Sequence, residues 1–265
     1  MKRVHVPELM DLRWFPSALR APMTNLIVVL ARKMGAVPVL AGLVERALAQ
    51  SGAKRVVDLG SGSGGSMPEV VERLPGVELV MTDKFPDRGA VERFNDPSRP
   101  SVRYARESVD ATDLASAPAG VKTMVNCFHH MRPAQARAIL ASAHRDRQPI
   151  LIYELTDNAV PFPLWLLFLP LSLLLVFITA LFFTFAVRPL TLRQLALTFV
   201  VPIVPLCYAW DGQASMPRIY SFGDLDELLA GLSSDDYVWE KGHATNAAGK
   251  KKGIYLLGLP TATKA

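Results

Sequence analysis

The sequence contains only two cysteines, Cys127 and Cys207, and both lie in apolar surroundings. Their spacing is that of neither a disulfide framework nor a zinc site, so we expect reduced thiols and no metal site. Clustered positive charge is also scarce, because the net charge of +5 is scattered apart from the segment "GKKKG" at 249–253. This distribution argues against nucleic acid as a partner. We expect these lysines to solvate a hairpin turn, and contact with an anionic membrane surface is the alternative.

The N-terminal region lacks the uninterrupted apolar run of a secretory signal, since Glu8 and Asp11 fall where that run would be. We therefore expect no cleaved export signal. Internal repeats and low-complexity tracts are absent too. A chain of 265 residues is long enough for one α/β domain with an insertion. Apolar residues make up 50% of the chain and are concentrated at 161–210, so the composition is uneven.

The pattern of the chain changes near Lys54. Residues 7–50 have the pattern of helices, interrupted at Pro16 and Pro22, and the last of them ends at Gly52. From Lys54 onwards short apolar runs alternate with helical segments, which predicts a parallel sheet with helices on both faces. The runs "DYVWEKGHA" and "GIYLLGLP" come last and are joined by a polar segment, so they predict an antiparallel hairpin at the C-terminus.

A glycine-rich turn follows the first predicted strand in "VVDLGSGSGG", residues 56–65. Glycines let the backbone turn sharply and approach a ligand, and the helix that follows presents free N–H groups. The spacing Gly60-x-Gly62-x-x-Gly65 is typical of a dinucleotide-binding turn. Asp58, two residues before the first glycine, is not required by such a turn. The turn alone therefore leaves open whether the cofactor is a dinucleotide or belongs to another class for which Asp58 is needed.

Polar residues also follow the later strands of the predicted sheet. Asp83 ends the second strand, where a carboxylate can accept hydrogen bonds from ribose hydroxyls. "SVDAT" follows the third strand, "NCFHHM" at 126–131 follows the fourth, and the fifth ends in "YE". In their order these segments, with Asp58 and the glycines, resemble class I S-adenosylmethionine-dependent methyltransferases over residues 54–155 and 215–260. A parallel sheet finished by an antiparallel hairpin resembles the same family, whereas dinucleotide-binding folds finish with parallel crossovers.

The resemblance implies S-adenosylmethionine as the cofactor. Asp58 would then face its methionine ammonium group, Asp83 its ribose, and Asp110 with Ala111 its adenine, although Asp113 could replace Asp110. The complete set of cofactor-binding residues that we predict is Asp58, Gly60, Ser61, Gly62, Gly64, Asp83, Lys84, Asp110, Ala111 and Asn126.

The same resemblance implies that the pair at the end of the fourth strand lies near the methyl acceptor. His129 or His130 is the candidate base for an acceptor that must lose a proton, with Glu154 behind it. If the strand persists through the pair, the two rings point in opposite directions and only one faces the acceptor. We favour His129, and we expect Cys127 to belong to the core.

A long apolar insertion follows the fifth strand. No charged residue occurs between Asn158 and Arg188, and the run 161–187 exceeds the roughly 20 residues that cross a bilayer core. The second run, 194–210, contains two prolines. Because the fifth strand and the terminal hairpin share one sheet, the chain must return to the side it left. Arg188 and Arg193 on the far side would oppose the positive-inside tendency, so an even number of crossings and a shallow hairpin both remain open.

The predicted fold class is α/β, with a mostly parallel seven-stranded Rossmann-like sheet, N-terminal helices and an inserted membrane-associated helical hairpin. We assign 1–52 to an N-terminal helical cap, 53–157 with 211–265 to the cofactor-binding domain, and 158–210 to the membrane hairpin. Asp211 and Arg218 would line the acceptor pocket or anchor the chain at the interface, and "SFGD" at 221–224 has the spacing of a helix capping box.

The function that we expect is methylation of an oxygen, nitrogen or carbon of a small lipophilic acceptor, by an enzyme at the lipid bilayer with its catalytic domain on the cytoplasmic face. Two alternatives come from other classes. One is a non-catalytic membrane protein with this fold, and the other is an NAD(P)-dependent membrane oxidoreductase. The oligomeric state and the identity of the acceptor do not follow from the sequence.

Overall fold

The structure, a computed structural model, describes residues 1–261. A seven-stranded sheet with the order β3-β2-β1-β4-β5-β7-β6 forms its centre. The strands are β1 Arg55–Leu59, β2 Glu78–Thr82, β3 Val102–Tyr104, β4 Val121–Val125, β5 Ile150–Glu154, β6 Tyr237–Thr245 and β7 Lys251–Pro260. Strands β1 to β5 pair in parallel, and β7 lies antiparallel between β5 and β6. The predicted sheet and its C-terminal hairpin are therefore confirmed.

The middle strands are apolar because both of their faces are covered. Val57 in β1 pairs with Val80 in β2, and all three of Val57, Val80 and Met124 in β4 are almost fully buried. The helices are α1 Ser17–Lys33, α2 Ala36–Ser51, α3 Met67–Val71, α4 Arg88–Phe94, α5 Pro133–Arg145, α6 Phe162–Thr184, α7 Leu192–Leu195, α8 Ile203–Arg218 and α9 Phe222–Leu229. One apolar core lies beneath α2, α3 and α4, a second lies beneath α5 and α9, and a third joins α1, α6 and α8. This arrangement brings the carboxyl ends of β1, β2, β4 and β5 to one edge of the sheet.

The structure bears on three local predictions, which concern the interruption at Pro22, the end of the apolar insertion and the capping box. Pro22 does not interrupt the first helix, because α1 continues through it, and only Pro16 stands at a helix start. The return helix α8 runs on to Arg218, past the expected boundary of the insertion at residue 210. The capping box is confirmed, since Asp224 N–H donates to Ser221 Oγ at 3.2 Å and Ser221 N–H donates to Asp224 Oδ2 at 2.9 Å.

The apolar insertion forms an exposed helical hairpin beside the sheet. Helix α6 has 23 residues, an 18-residue window of it has a mean hydropathy of 2.7, and many of its leucines face outwards. It packs against α8 and α1 along one side, where Ala180 and Thr184 are buried. Among the described residues α6 alone is long and apolar enough to cross a membrane by itself. Two pairs of helices, each bent by more than 80°, would also qualify if each pair were one span.

Candidate cofactor and catalytic site

The glycine-rich turn leaves the end of β1 through backbone conformations that favour glycine. Gly60 has φ of 69° and Gly64 has φ of 118°. A side chain at Gly60 would meet Cys127 Sγ at 3.4 Å, and one at Gly64 would collide with the ring of Phe94. At Gly62, by contrast, nothing lies within 4 Å of where a side chain would begin. The turn is therefore closed by protein at Gly60 and Gly64 and open at Gly62.

Asp83 is joined to this turn by a hydrogen bond. Because β1 and β2 are parallel neighbours, their carboxyl ends meet, and the backbone N–H of Gly62 donates to Asp83 Oδ2 at 2.9 Å. The N–H of Phe85 donates to Asp83 Oδ1 at 2.7 Å. Burial raises the pKa of Asp83 above its ordinary value. Each carboxylate oxygen still has a lone pair for a further donor, as two ribose hydroxyls would require.

Asp58 lies beneath the turn and is satisfied by two hydroxyl groups. Ser61 Oγ donates to Asp58 Oδ2 at 2.6 Å and Thr123 Oγ1 donates to Asp58 Oδ1 at 2.8 Å. The side chain is almost fully buried, and burial raises the pKa of Asp58 to about 7. The structure thus places Asp58 and Ser61 in one hydrogen-bonded group at the foot of the turn.

Two predicted residues on the adenine side form an ion pair that the sequence did not reveal. Lys84 Nζ lies 2.6 Å from Asp110 Oδ2, and the N–H of Thr112 donates to Asp110 Oδ1 at 3.0 Å. The hydrogen bond from Lys84 lowers the pKa of Asp110 to about 2. Ala111, which lies between Asp110 and Thr112 in the chain, packs against the apolar core beneath α5. Asp110 is therefore ionised and partly exposed.

Asn126 joins the ends of two strands. It has φ of 53°, a conformation unusual for a residue other than glycine. Its N–H donates to the carbonyl of Tyr153 at 2.8 Å, and its side-chain Oδ1 accepts from the N–H of Leu155 at 2.8 Å. The following residue, Cys127, donates to the carbonyl of Leu59 at 3.4 Å, so the ends of β1, β4 and β5 are held together.

The expected alternation of the two histidines is wrong. Strand β4 ends at Val125, and residues 128–130 form a 3₁₀ turn, so the period of two no longer applies. The rings of His129 and His130 lie side by side with their centroids 4.3 Å apart. Glu154 contacts His129 at two points. Its carboxylate lies 2.8 Å from the ring Nδ1 of His129 and accepts from the backbone N–H of His129 at 2.9 Å. The pairing of His129 with Glu154 thus appears as the sequence suggested, and His130 joins the same cluster.

Glu8 and Asp11 belong to this cluster and were not predicted as site residues, whereas Arg218, its third member, was expected to line the acceptor pocket or to anchor the chain. Asp11 Oδ1 lies 2.7 Å from His130 Nδ1, and Arg218 Nη1 lies 2.7 Å from Asp11 Oδ2 and 2.9 Å from Glu8 Oε1. Arg218 has no exposed surface and Glu8 is 4% exposed. Burial raises the pKa of Glu8 to about 7. The sequence did carry a signal, because Glu8 and Asp11 are the charged residues of the otherwise apolar segment "VPELMDL" at 6–12.

The cluster also contains metal-ligating groups, although the sequence predicted no metal site. Ligand atoms of Glu8, His129 and His130 all lie within 4.8 Å of one another. Spacing along the chain could not show this grouping, because Glu8 is remote from the histidines in sequence. Helix α8 contributes to it as well, since Asp211 accepts from the N–H groups of Leu9 and Met10 and holds the N-terminal segment in place.

The comparisons with known proteins bear on the fold. No family of known proteins matches the sequence, and neither does any curated protein. Among solved structures, one described as an O-methyltransferase family protein from Burkholderia thailandensis superposes with a TM-score of 0.51 at 15% identity. The match covers 90% of this chain and 58% of that one, so this chain spans just over half of its length.

This chain has a Rossmann-like methyltransferase fold. The strand order and the antiparallel β7 agree with that likeness, whereas a dinucleotide-binding fold continues with a sixth parallel strand. Two further structures superpose less well. The plantazolicin methyltransferase BpumL in complex with SAH has 10% identity and a TM-score of 0.49, and the match covers 92% of this chain and 98% of that one. The mitomycin 7-O-methyltransferase MmcR has 16% identity and a TM-score of 0.47, and the match covers 88% of this chain and 56% of that one.

Proposed function

We propose that this protein transfers the methyl group of S-adenosylmethionine to a small lipophilic acceptor at a membrane surface. The observation that carries the proposal is the hydrogen bond between Gly62 N–H and Asp83 in a sheet of methyltransferase order. The Asp83 carboxylate, which would accept from the ribose hydroxyls, lies beside an open backbone turn. The structural neighbour from Burkholderia thailandensis, an O-methyltransferase family protein, supports the reaction class.

The residues present fit this cofactor. Nothing lies within 4 Å of where a side chain at Gly62 would begin, so a ligand can approach the backbone from that direction. Asp83 would accept from the ribose hydroxyls, and Asp110 and Ala111, with Lys84 beside them, would receive the adenine. Asp58 and Ser61 would balance the ammonium group, and Asn126 would position the strand ends. When bound, S-adenosylmethionine supplies a methyl group activated by a positive sulfur, so orientation of the acceptor provides much of the catalysis.

Proton removal is needed only for an acceptor that is not already ionised. The carboxylate of Glu154 keeps the proton of His129 on Nδ1 and leaves Nε2 as the basic atom. In the structure Nε2 is enclosed, since Glu8 Oε1 lies 3.5 Å from it. His129 would therefore act as the base after the N-terminal segment has moved, with His130 beside it.

The proposal of membrane association rests on the position of α6. It begins eight residues after β5 ends, on the side of the sheet where the site lies, and its exposed surface is largely apolar. A membrane hairpin there would bring a lipophilic acceptor towards the histidines. Strands β5 and β7 pair directly, so the chain returns to the side it left whether the hairpin crosses the bilayer or lies in one leaflet. We propose that this side is the cytoplasmic face.

The experiment is incubation of the full-length protein in liposomes with a lipid extract and S-adenosylmethionine carrying an isotopically labelled methyl group. Mass spectrometry should reveal one labelled lipophilic product, and the Asp83→Ala variant should not form it. Binding of S-adenosylhomocysteine with no labelled product from any extract would favour a non-catalytic protein. Stronger thermal stabilisation by a nicotinamide cofactor than by S-adenosylhomocysteine would favour an oxidoreductase.

A further inference from the structure

The imidazole rings of His129 and His130 are held in the orientation that metal ligands require. Each ring has its Nδ1 against a carboxylate, Glu154 at 2.8 Å for His129 and Asp11 at 2.7 Å for His130. Such a contact keeps the proton on Nδ1 and leaves the lone pair of Nε2 free for a cation. Histidine metal ligands almost always have such an outer partner, which is a carboxylate, a backbone carbonyl or a water.

Both free nitrogens point at the same carboxylate. Glu8 Oε1 lies 3.5 Å from His129 Nε2, and Glu8 Oε2 lies 3.8 Å from His130 Nε2. Two ligand atoms bound to one metal at about 2.1 Å in tetrahedral geometry are separated by about 3.4 Å. Glu8 therefore stands at nearly the distance from each histidine that a shared ion needs, and one ligand atom from each of the three side chains lies within 4.8 Å of the others.

The atoms concerned are buried and unsatisfied. His129 is 5% exposed and Glu8 is 4% exposed, and neither His129 Nε2 nor Glu8 Oε1 takes part in a hydrogen bond with any described residue. Arg218 Nη1 lies 2.9 Å from Glu8 Oε1, but no N–H is aligned with that oxygen, so this ion pair does not satisfy it. Two buried acceptors facing each other repel, and a cation between them would remove the repulsion.

The surrounding charge also favours a cation. Four carboxyl groups lie around the cluster. Two guanidinium groups lie among them, that of Arg3, which donates to the carbonyl of His129, and that of Arg218, which contacts Glu8. The four carboxyl groups are those of Glu8, Asp11, Glu154 and Asp211. These carboxyl groups outnumber the two guanidinium groups, and a divalent cation would supply positive charge between them.

We propose that Glu8, His129 and His130 bind one divalent transition-metal ion of the zinc type. Two imidazoles and one carboxylate suit Zn²⁺ and its neighbours in the first transition row, and they suit Mg²⁺ poorly, since it takes oxygen ligands. Arg218 holds the Glu8 carboxylate, and the ion fastens the N-terminal segment to the end of β4. The ion would occupy Nε2 of His129, so His129 acts as the base in the metal-free protein only. In the metal-bound protein the ion would instead favour ionisation of an acceptor hydroxyl that reached it.

The test uses full-length protein in detergent, stripped with a chelator and titrated with Zn²⁺ by calorimetry and with Co²⁺ by visible absorption. We expect one site per chain, with no binding of Mg²⁺. Glu8→Gln keeps the volume and removes the anionic ligand, so it should weaken Zn²⁺ binding at least 100-fold. Glu154→Gln, a positioning change, should weaken it 10- to 100-fold. The matched control is His144→Ala, because that ring contacts Ser234 and not the cluster, and it should bind Zn²⁺ normally.

Two results would overturn the metal site: no stoichiometric Zn²⁺ binding to the wild type, or equal Zn²⁺ affinity in the wild type, Glu8→Gln and His129→Ala. Near-ultraviolet circular dichroism of each variant shows whether it is folded, and the folded variants decide the question. Titration of the metal-free wild type with S-adenosylhomocysteine is independent of this site. Its failure would count against the methyltransferase proposal and leave the metal site standing.

Discussion

The backbone N–H of Gly62 donates a hydrogen bond of 2.9 Å to the carboxylate of Asp83, across two neighbouring strand ends. Gly62, in the glycine-rich turn, and Asp83, which we expect to bind ribose, are therefore in direct contact. Loss of Asp83 would affect cofactor binding in two ways, through the lost ribose contacts and through a looser turn.

Asp83→Ala should accordingly weaken binding of S-adenosylhomocysteine by about 2 to 3 kcal/mol, the value for charge-assisted hydrogen bonds to a ligand. The fold should survive, because the residue stands at a strand end and is only half-buried. Calorimetry measures the affinity. Asp87→Ala, which removes the cap of α4 and leaves the turn intact, is the control. An Asp83→Ala affinity equal to that of the wild type would remove Asp83 from the site.

Gly60→Val should abolish cofactor binding. A β-branched residue at φ of 69° is strained, and its side chain would press on Cys127 at the base of the turn. Gly76→Ala is a matched control, since Gly76 has φ of 79° and open space around it but lies outside the turn. That control should cost about 1 kcal/mol of stability and bind S-adenosylhomocysteine normally. Normal binding by folded Gly60→Val would contradict the assignment of the turn.

Asp58 should make stability and cofactor binding depend on pH. Its pKa in the folded protein is about 7, above the value of about 3.9 in an unfolded chain. The folded protein therefore holds an extra proton between pH of about 4 and 7, and the free energy of unfolding falls as pH rises through this window. Glu8, whose pKa is also raised to about 7, contributes a fall of the same sign in this window. Asp58→Asn should therefore show a smaller fall than the wild type, and melting curves at pH 5 and pH 8 measure the difference.

Binding of the cofactor's ammonium group should favour ionised Asp58, so binding at pH 6 should release a proton. Calorimetry with S-adenosylhomocysteine in two buffers of different ionisation enthalpy measures that proton. Adenosine, which has no ammonium group, should release none. Equal proton release by the wild type and by Asp58→Asn would show that another group is responsible.

The exposed face of α6 should hold the protein on lipid. Leu174 and Leu175 are each 55% exposed near the middle of the helix. A lysine at the centre of a membrane helix costs about 2.5 to 3.5 kcal/mol, so replacing both leucines with lysine should release the protein from liposomes in a flotation assay. Val238→Lys, at a position 52% exposed in β6, should float like the wild type. Failure of the wild type to float would refute membrane association.

His129→Ala should lower turnover roughly 100-fold for an acceptor that must lose a proton, and much less for one already ionised. Affinity for S-adenosylhomocysteine should not change, since the ring lies against Glu154 and Glu8 and not against the turn. The comparison of the two acceptors by initial rates separates loss of a base from loss of structure. An equal decrease for both acceptors would mean that His129 serves packing alone.

Much of the fold could be predicted from the sequence because its signals are local. The turn at 60–65 needs glycines whose φ is positive, and the terminal hairpin needs two strands with a polar connection. Both appear in the structure. The prediction that His129 and His130 point in opposite directions was wrong. It extended the period of a strand by a few residues, and the end of β4 depends on contacts with Asn126 and Glu154 that no local pattern contains.

By itself the sequence determined the order of strands and helices, the glycine turn with Asp83 at the next strand end, and the long apolar helix, since each depends on residues close together in the chain. Only the tertiary structure decided that Glu8 covers His129 and that Arg218 is buried between Glu8 and Asp11. Those contacts join the N-terminal segment, β4 and α8. They form only when the packing of α8 on the sheet edge buries their charges together, because a charge buried without a partner would be too costly to keep.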